Sequence, residues 1–242
     1  MRKLTIILGV AASVALSTGS VLAIDASFFG QDLGNGDGNA NITAWPNAAA
    51  AQAQFLANLV GVGTETFESF ADNAPAPFTL TFPGAGTATL NGTGSDTLIQ
   101  TTEQASFGRF PISGTKYVET SSGFNIRFGS PVAAFGFYGV DVGDFNGDLT
   151  LTFVDGTTRT FDLTQVMGTP GGSVMYFGYI NSGNPFTGVT FSNSQGGTDY
   201  FGFDDMTIGS VEQVVSAPDS GNTLGLTGLA LLSLMAVAYK QR

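Results

Sequence analysis

The sequence predicts an all-β protein: a jelly-roll-like β-sandwich with one N-terminal helix, preceded by a signal peptide and followed by a C-terminal transmembrane helix. Three observations carry this reading. From Thr64 onward apolar residues recur with period two, as in Phe78-Thr79-Leu80-Thr81-Phe82 and Leu149-Thr150-Leu151-Thr152-Phe153, the pattern of half-buried strands. One interior stretch, Ala48 to Leu59, has helical spacing instead. The two ends of the 242-residue chain are charge-free apolar runs beside basic clusters, unlike anything between them.

In chain order, Met1-Arg2-Lys3 is a positive n-region, Leu4 to Leu16 an apolar h-region, and Val21-Leu22-Ala23 a peptidase site. Residues 1–23 therefore read as a signal peptide cut after Ala23. Residues 24–63 read as an arm and a short helix. Ile24 to Thr43 is rich in Gly, Asn, Asp and Ala without period, which suggests an irregular arm. Asn47 is the expected N-cap, and Ala48, Ala51, Phe55 and Leu59 share one helical face.

Residues 64–210 carry the sandwich. Besides the two alternating runs, strands are expected at Glu65–Phe70, Ala88–Leu90, Thr97–Gln100, Tyr117–Thr120, Phe124–Phe128 and Ala133–Val140. Four more are expected at Thr158–Leu163, Val174–Ile180, Gly188–Ser192 and Tyr200–Ile208. Asp155-Gly156 marks a hairpin between Leu149–Phe153 and Thr158–Leu163. Ten to twelve short strands separated by turn residues imply a jelly-roll sandwich. An aromatic-Gly-aromatic triplet recurs at Phe135-Gly136-Phe137, Phe177-Gly178-Tyr179 and Phe201-Gly202-Phe203. In a strand its two rings share the core face, and the Gly leaves room for close packing on the other.

Residues 211–223 read as a linker, and residues 224–242 as a membrane helix with a basic tail. The 16 residues from Leu224 to Tyr239 carry no charge. As a helix they span about 24 Å. That is slightly short of the ~30 Å hydrocarbon core, a difference Asn222, Thr223 and a snorkelling Lys240 make up. The terminal Lys240-Gln241-Arg242 places the tail inside and the acidic domain outside.

Charge and composition exclude several functions. Of eight basic residues, only Arg109, Lys116, Arg127 and Arg159 lie between the two ends, against all but one of the 19 carboxylates. Such a surface repels phosphate backbones, so nucleic acid is not a partner. The chain has no Cys and no His. Disulfides, thiolate metal sites, the Ser-His-Asp triad and the usual zinc ligand sets are thereby removed.

Hard oxygen ligands remain, and calcium is the cation they would take. One candidate set is Asp141, Asp144, Asn146 and Asp148, where Asp144-x-Asn146-x-Asp148 begins like an EF-hand loop but lacks Gly at position 6 and an exiting helix. The other joins Glu68 of the first sandwich strand to Asp204 and Asp205 of the last. Each also has a plain reading, a solvated acidic turn and protection of a sheet edge. A carboxylate-based glycoside hydrolase is the enzymatic alternative. No catalytic motif surrounds any acid, and Trp45 is the single Trp where sugar clefts usually present several platforms.

The segment Ala217-Pro218-Asp219-Ser220-Gly221 precedes the apolar helix and basic terminus. This tripartite tail resembles the PEP-CTERM sorting domains of exosortase substrates, in their Val-Pro-Asp-Ser-Gly variant with Ala217 in place of Val. Pro218, Asp219, Ser220 and Gly221 are the matching residues. The middle is similar to a β-sandwich domain common in that class, through Trp45-Pro46-Asn47, Gly63-Thr64-Glu65-Thr66-Phe67-Glu68, Phe135-Gly136-Phe137-Tyr138, Asp141-Val142-Gly143-Asp144-Phe145, Asn184-Pro185-Phe186 and Phe201-Gly202-Phe203-Asp204-Asp205-Met206. The resemblance implies export in a Gram-negative bacterium, removal of the tail by an exosortase-type membrane protease, and residence at the cell surface or in the extracellular matrix with polysaccharide as partner. It implies no catalytic activity. An uncut single-pass anchor is the alternative reading of the tail.

Overall fold

The computed structural model describes residues 23–34, 41–92, 96–101, 108–121, 124–142, 147–163, 171–193 and 200–215. The alternating runs form strands, and the described residues make thirteen of them with one α-helix. In order these are β1 (Asp25–Asp32), α1 (Pro46–Leu56), β2 (Thr64–Glu65), β3 (Phe78–Phe82), β4 (Gly86–Asn91), β5 (Leu98–Thr101), β6 (Lys116–Ser121) and β7 (Asn125–Val132). There follow β8 (Ala134–Val140), β9 (Gly147–Phe153), β10 (Thr158–Asp162), β11 (Val174–Asn181), β12 (Phe186–Asn193) and β13 (Tyr200–Gly209). Among the described residues no helix is long and apolar enough to cross a membrane. The expected signal peptide, the sorting residues Pro218 to Gly221 and the helix from Leu224 lie outside them.

Two antiparallel sheets result. A seven-stranded sheet runs β1-β11-β8-β13-β6-β5, with β2 also on β13, and a six-stranded sheet runs β10-β9-β12-β7-β4-β3. Strands β6 to β13 change sheet at every step except the β9–β10 hairpin, and their orders are β6-β13-β8-β11 and β7-β12-β9-β10. That is the eight-stranded jelly roll expected from the sequence, extended by the five earlier strands. At the hairpin Gly156 has φ +83°, a turn geometry that glycine adopts without strain, and Asp155 accepts the Thr157 N–H at 2.9 Å.

The triplets fill the core as their pattern requires. Phe135, Phe137, Phe177, Tyr179, Phe201 and Phe203 point between the sheets to meet Leu80, Ile126, Leu149, Leu151 and Phe191. The Phe137 ring stacks on Phe203 at 4.8 Å and meets Phe191 edge-on at 5.2 Å. On the opposite face Gly136 and Gly178 admit α1. Gly178 lies opposite Gly136 in the β11–β8 register, and a Cβ on Gly178 would come within 2.7 Å of the Phe55 ring. A second cluster of Ala48, Ala51, Phe55, Leu59, Tyr138 and Tyr176 seals the helix to the sheet.

Four local expectations are corrected. The first part of the supposed irregular arm is β1, paired with β11 from Asp25↔Asn181 to Asp32↔Val174. Its residues are mostly half-buried on both faces, which removes the period-two signal. Strand and helix lie with the sandwich in one compact unit, Ala23–Ser216. Asn47 is not the N-cap. Trp45 takes that position with Pro46 following, and the cap is supplied from β1. Asp32 accepts from the N–H groups of Asn47 at 3.2 Å and Ala48 at 2.9 Å, and from the Asn47 side chain at 2.8 Å.

The expected strand Glu65–Phe70 stops at Glu65, because the Glu65 carboxylate accepts the Phe67 N–H at 2.7 Å and Phe67 turns inward with φ +59°. The start of the expected linker is also anchored. Val211–Gln213 form a 3-10 turn, and the Gln213 amide donates to the Gly61 and Pro83 carbonyls at 2.7 and 2.9 Å.

Candidate functional site

The acids singled out by sequence fall into two places. Glu68, Asp204 and Asp205 do converge, on the loop from Ile112 to Lys116. Asp204, fully buried, accepts the N–H groups of Ile112 at 2.8 Å and Ser113 at 3.2 Å. Asp205 accepts the Ser113 hydroxyl at 2.6 Å. Glu68 accepts the N–H groups of Thr115 and Lys116, each at 2.7 Å, and the Thr115 hydroxyl at 3.0 Å. A bulge between Asp204 and Thr207, with Asp205 at φ +49°, turns both acids toward this loop.

Their electrostatics differ. Burial, then the Asp205 charge, pushes the Asp204 carboxyl well above its usual range, against the opposing N–H donors. Burial raises Asp205 too, opposed by Ser113. At Glu68 burial also raises the carboxyl, but the Thr115 and Lys116 donors and the Lys116 charge outweigh it and hold it below its usual value. Calcium wants six to eight oxygens, and here N–H groups and the Ser113 and Thr115 hydroxyls engage the carboxylates a cation would need. These three residues do not fit calcium.

The other set is divided. Asp144 and Asn146 lie outside the described residues, Asp148 sits in β9, and Asp141 directly follows β8 of the opposite sheet. Asp141 accepts the Gly172 N–H at 3.1 Å and lies 3.6 Å from the buried Arg109 guanidinium, which also binds Glu119 at 2.8 Å. Among the described residues no three acids are grouped to hold a metal.

A cleft the sequence reading did not assemble lies on the outer face of the six-stranded sheet. It has a volume of about 480 Å³ and is lined by residues of β7, β9 and β12, among them Asn125, Arg127, Thr152, Thr187, Gly188 and Thr190. Its floor is a register row. Thr79, Thr89, Arg127, Gly188, Thr152 and Thr158 stand side by side on six adjacent strands. The next row holds Asn91, Asn125, Thr190, Thr150 and Thr160. Gly188 makes the hollow, because it puts no side chain between Arg127 and Thr152, and a bulge between Phe186 and Gly188 widens it.

Several of these groups are already engaged with one another. Thr150 and Thr160 share a hydrogen bond at 2.8 Å, and the Asn91 amide donates to Asn125 at 3.3 Å. Arg127, Thr152 and Thr190 are exposed. The two faces of the sandwich thus differ in kind: α1 covers one, and a lawn of hydroxyls covers the other. The period-two pattern did place Asn125, Arg127, Thr150 and Thr152 on the outward side. The cross-strand register that gathers them around Gly188 leaves no trace in local sequence.

No family model and no curated protein matches this chain. Among solved structures, it is similar to the K2 cleaved adhesin domain of Lys-gingipain, at 15% identity and TM-score 0.36, over 61% of this chain and 97% of that one. It is also similar to TmCBM61 in complex with β-1,4-galactotriose, at 12% identity and TM-score 0.27, over 50% of this chain and 86% of that one. At these scores the likeness bears on nothing further.

Proposed function

We propose that the protein is an exported, non-enzymatic glycan-binding module that is sorted through its C-terminal tail and offers the outer face of its six-stranded sheet to polysaccharide. The cleft at Gly188 carries the binding reading. Hydroxyls of Thr152 and Thr190, the Asn125 amide and the Arg127 guanidinium surround one hollow on a face that no other described element covers. Convergent donors and acceptors of this kind are what sugar hydroxyls require. Among the described residues no carboxylate lines the cleft, whereas glycoside hydrolysis needs a pair across the scissile bond, which favours binding over hydrolysis. Asp204 and Asp205 are adjacent acids, but the Ile112–Ser113 backbone and the Ser113 hydroxyl engage them.

The address rests on the tail: Pro218, Asp219, Ser220 and Gly221 supply an extended motif beside a short apolar helix with a basic end. A membrane protease of the exosortase type is the partner that would read it, leaving the module at the surface or in the matrix. Affinity electrophoresis through gels cast with a panel of polysaccharides tests the binding. Retardation by at least one polymer is expected, and Thr190→Trp, which fills the hollow, abolishes it without lowering the melting temperature. Mobility unchanged across the panel refutes the reading, and sustained release of reducing sugar restores the hydrolase alternative.

A further inference from the structure

The chain carries a formal charge of −11, and all four cations between its ends are in described segments. Three have carboxylate partners. Arg109 meets Glu119 at 2.8 Å, Lys116 meets Asp72 at 3.2 Å, and Arg159 meets Asp25 at 3.0 Å. Arg127 has none among the described residues, and it is the one that stands in the cleft, at the edge of the Gly188 hollow. Neither its own register row nor the next holds an acid. Toward the start of β9 the first acids, Asp148 and Asp162, face each other in the third row, and on the other side Asp155 of the hairpin turn is engaged by Thr157 and Asn184. Rows on one face of a strand are about 7 Å apart, so Asp148 and Asp162 lie beyond contact distance of the guanidinium position.

From this we infer that the cleft takes an acidic glycan, and that Arg127 binds the carboxylate of a uronic-acid sugar while the Thr and Asn groups bind its hydroxyls. The inference rests on the glycan reading of the same cleft. A guanidinium presents a planar fork of N–H donors that matches a carboxylate in bidentate fashion. An acidic protein repels a dense polyanion at long range, but that repulsion is screened beyond about 8–10 Å at physiological salt, while the contact pair persists. One cation per cleft suits one carboxylate per site. A sparsely charged polymer is therefore the better ligand than a fully ionised one, and an acidic segment of a second protein, which would bring several carboxylates, is the poorer occupant.

The test compares the purified full chain with Arg127→Gln and Arg127→Lys, using oligomers of galacturonate, glucuronate and mannuronate, their carboxyl-reduced neutral counterparts, and a sulfated glycan. Charge-assisted pairs make the expected preference for one acidic oligomer over its reduced form about 10- to 100-fold. Arg127→Gln removes that preference and keeps the weaker binding of the reduced form, and Arg127→Lys restores it in part. The melting temperature of all three stays the same, since the side chain has no carboxylate partner among the described residues. Equal binding of acid and reduced forms, or a preference that survives Arg127→Gln, overturns the role of Arg127 and leaves the neutral-glycan reading standing. Preference for the sulfated glycan over every uronate overturns the carboxylate assignment. Absence of binding to any oligomer overturns both.

Discussion

The seat of α1 on the glycine row can be broken and repaired. Gly178→Ala places a Cβ at 2.7 Å from Cδ2 and 2.9 Å from Cγ of Phe55, where carbon atoms normally rest about 3.5–4.0 Å apart. Phe55 cannot swing away cheaply, because it is fully buried and its ring is held by Phe28 at 5.8 Å and Tyr176 at 5.9 Å. Overpacking of this kind costs about 1–3 kcal/mol. Phe55→Ala alone costs about 3–5 kcal/mol. For a domain of this size each kcal/mol lowers the melting temperature by about 2–4 °C. In the double variant the new methyl enters vacated space, so its loss should fall short of the sum by about 1–3 kcal/mol. Urea titration followed by Trp45 fluorescence reads this, since Trp45 is the single Trp and stands at the start of α1. Strict additivity, or a Gly178→Ala variant as stable as the parent, would refute the argument that glycine is there to admit the helix.

Three further outcomes follow from the same geometry. Asp204 and Asp205 have folded values raised above the ordinary 3.8, so the folded state holds their protons more tightly; the stability they contribute is full below 3.8 and is lost as pH rises through the folded values. Melting temperature should therefore rise as pH is lowered from above the folded values toward the ordinary carboxylate value, and Asp204→Asn should flatten the slope; an unchanged slope would remove Asp204 from the account. Asp32→Ala strips the cap from α1 and should cost about 1–2 kcal/mol by the same urea titration, with Asp32→Asn recovering part of it. In the native cell, mass spectrometry should find a mature terminus at Ile24 and no peptide from Leu224 to Arg242, while Pro218→Ala with Asp219→Ala should accumulate uncut precursor. Persistence of the tail on most molecules would favour the plain anchor.

The sandwich was legible because a half-buried strand writes its burial directly into sequence. Leu149 to Phe153 alternate buried and accessible residues as their Leu-Thr alternation implies, and Asp155-Gly156 forms the turn its chemistry demands. The triplets announced a crowded core on one side and open space on the other. What local sequence does not encode is the occupant of that space. The occupant is a helix from far upstream, and its cap is an aspartate on a strand whose pattern is blurred by half-burial on both faces. The acids tell the same story: their placement in the first and last sandwich strands suggested metal ligands, whereas Asp204 and Glu68 meet N–H donors, and Asp205 the Ser113 hydroxyl, of a loop about 90 residues from Asp204 and Asp205. Composition alone determined the acidity, the absence of His and Cys chemistry and the motifs at the two ends. Only tertiary structure decided which sheet face is covered, which cation has no carboxylate partner among the described residues and which hydroxyls share a cleft, because those depend on cross-strand register and loop contacts that a one-dimensional pattern cannot express.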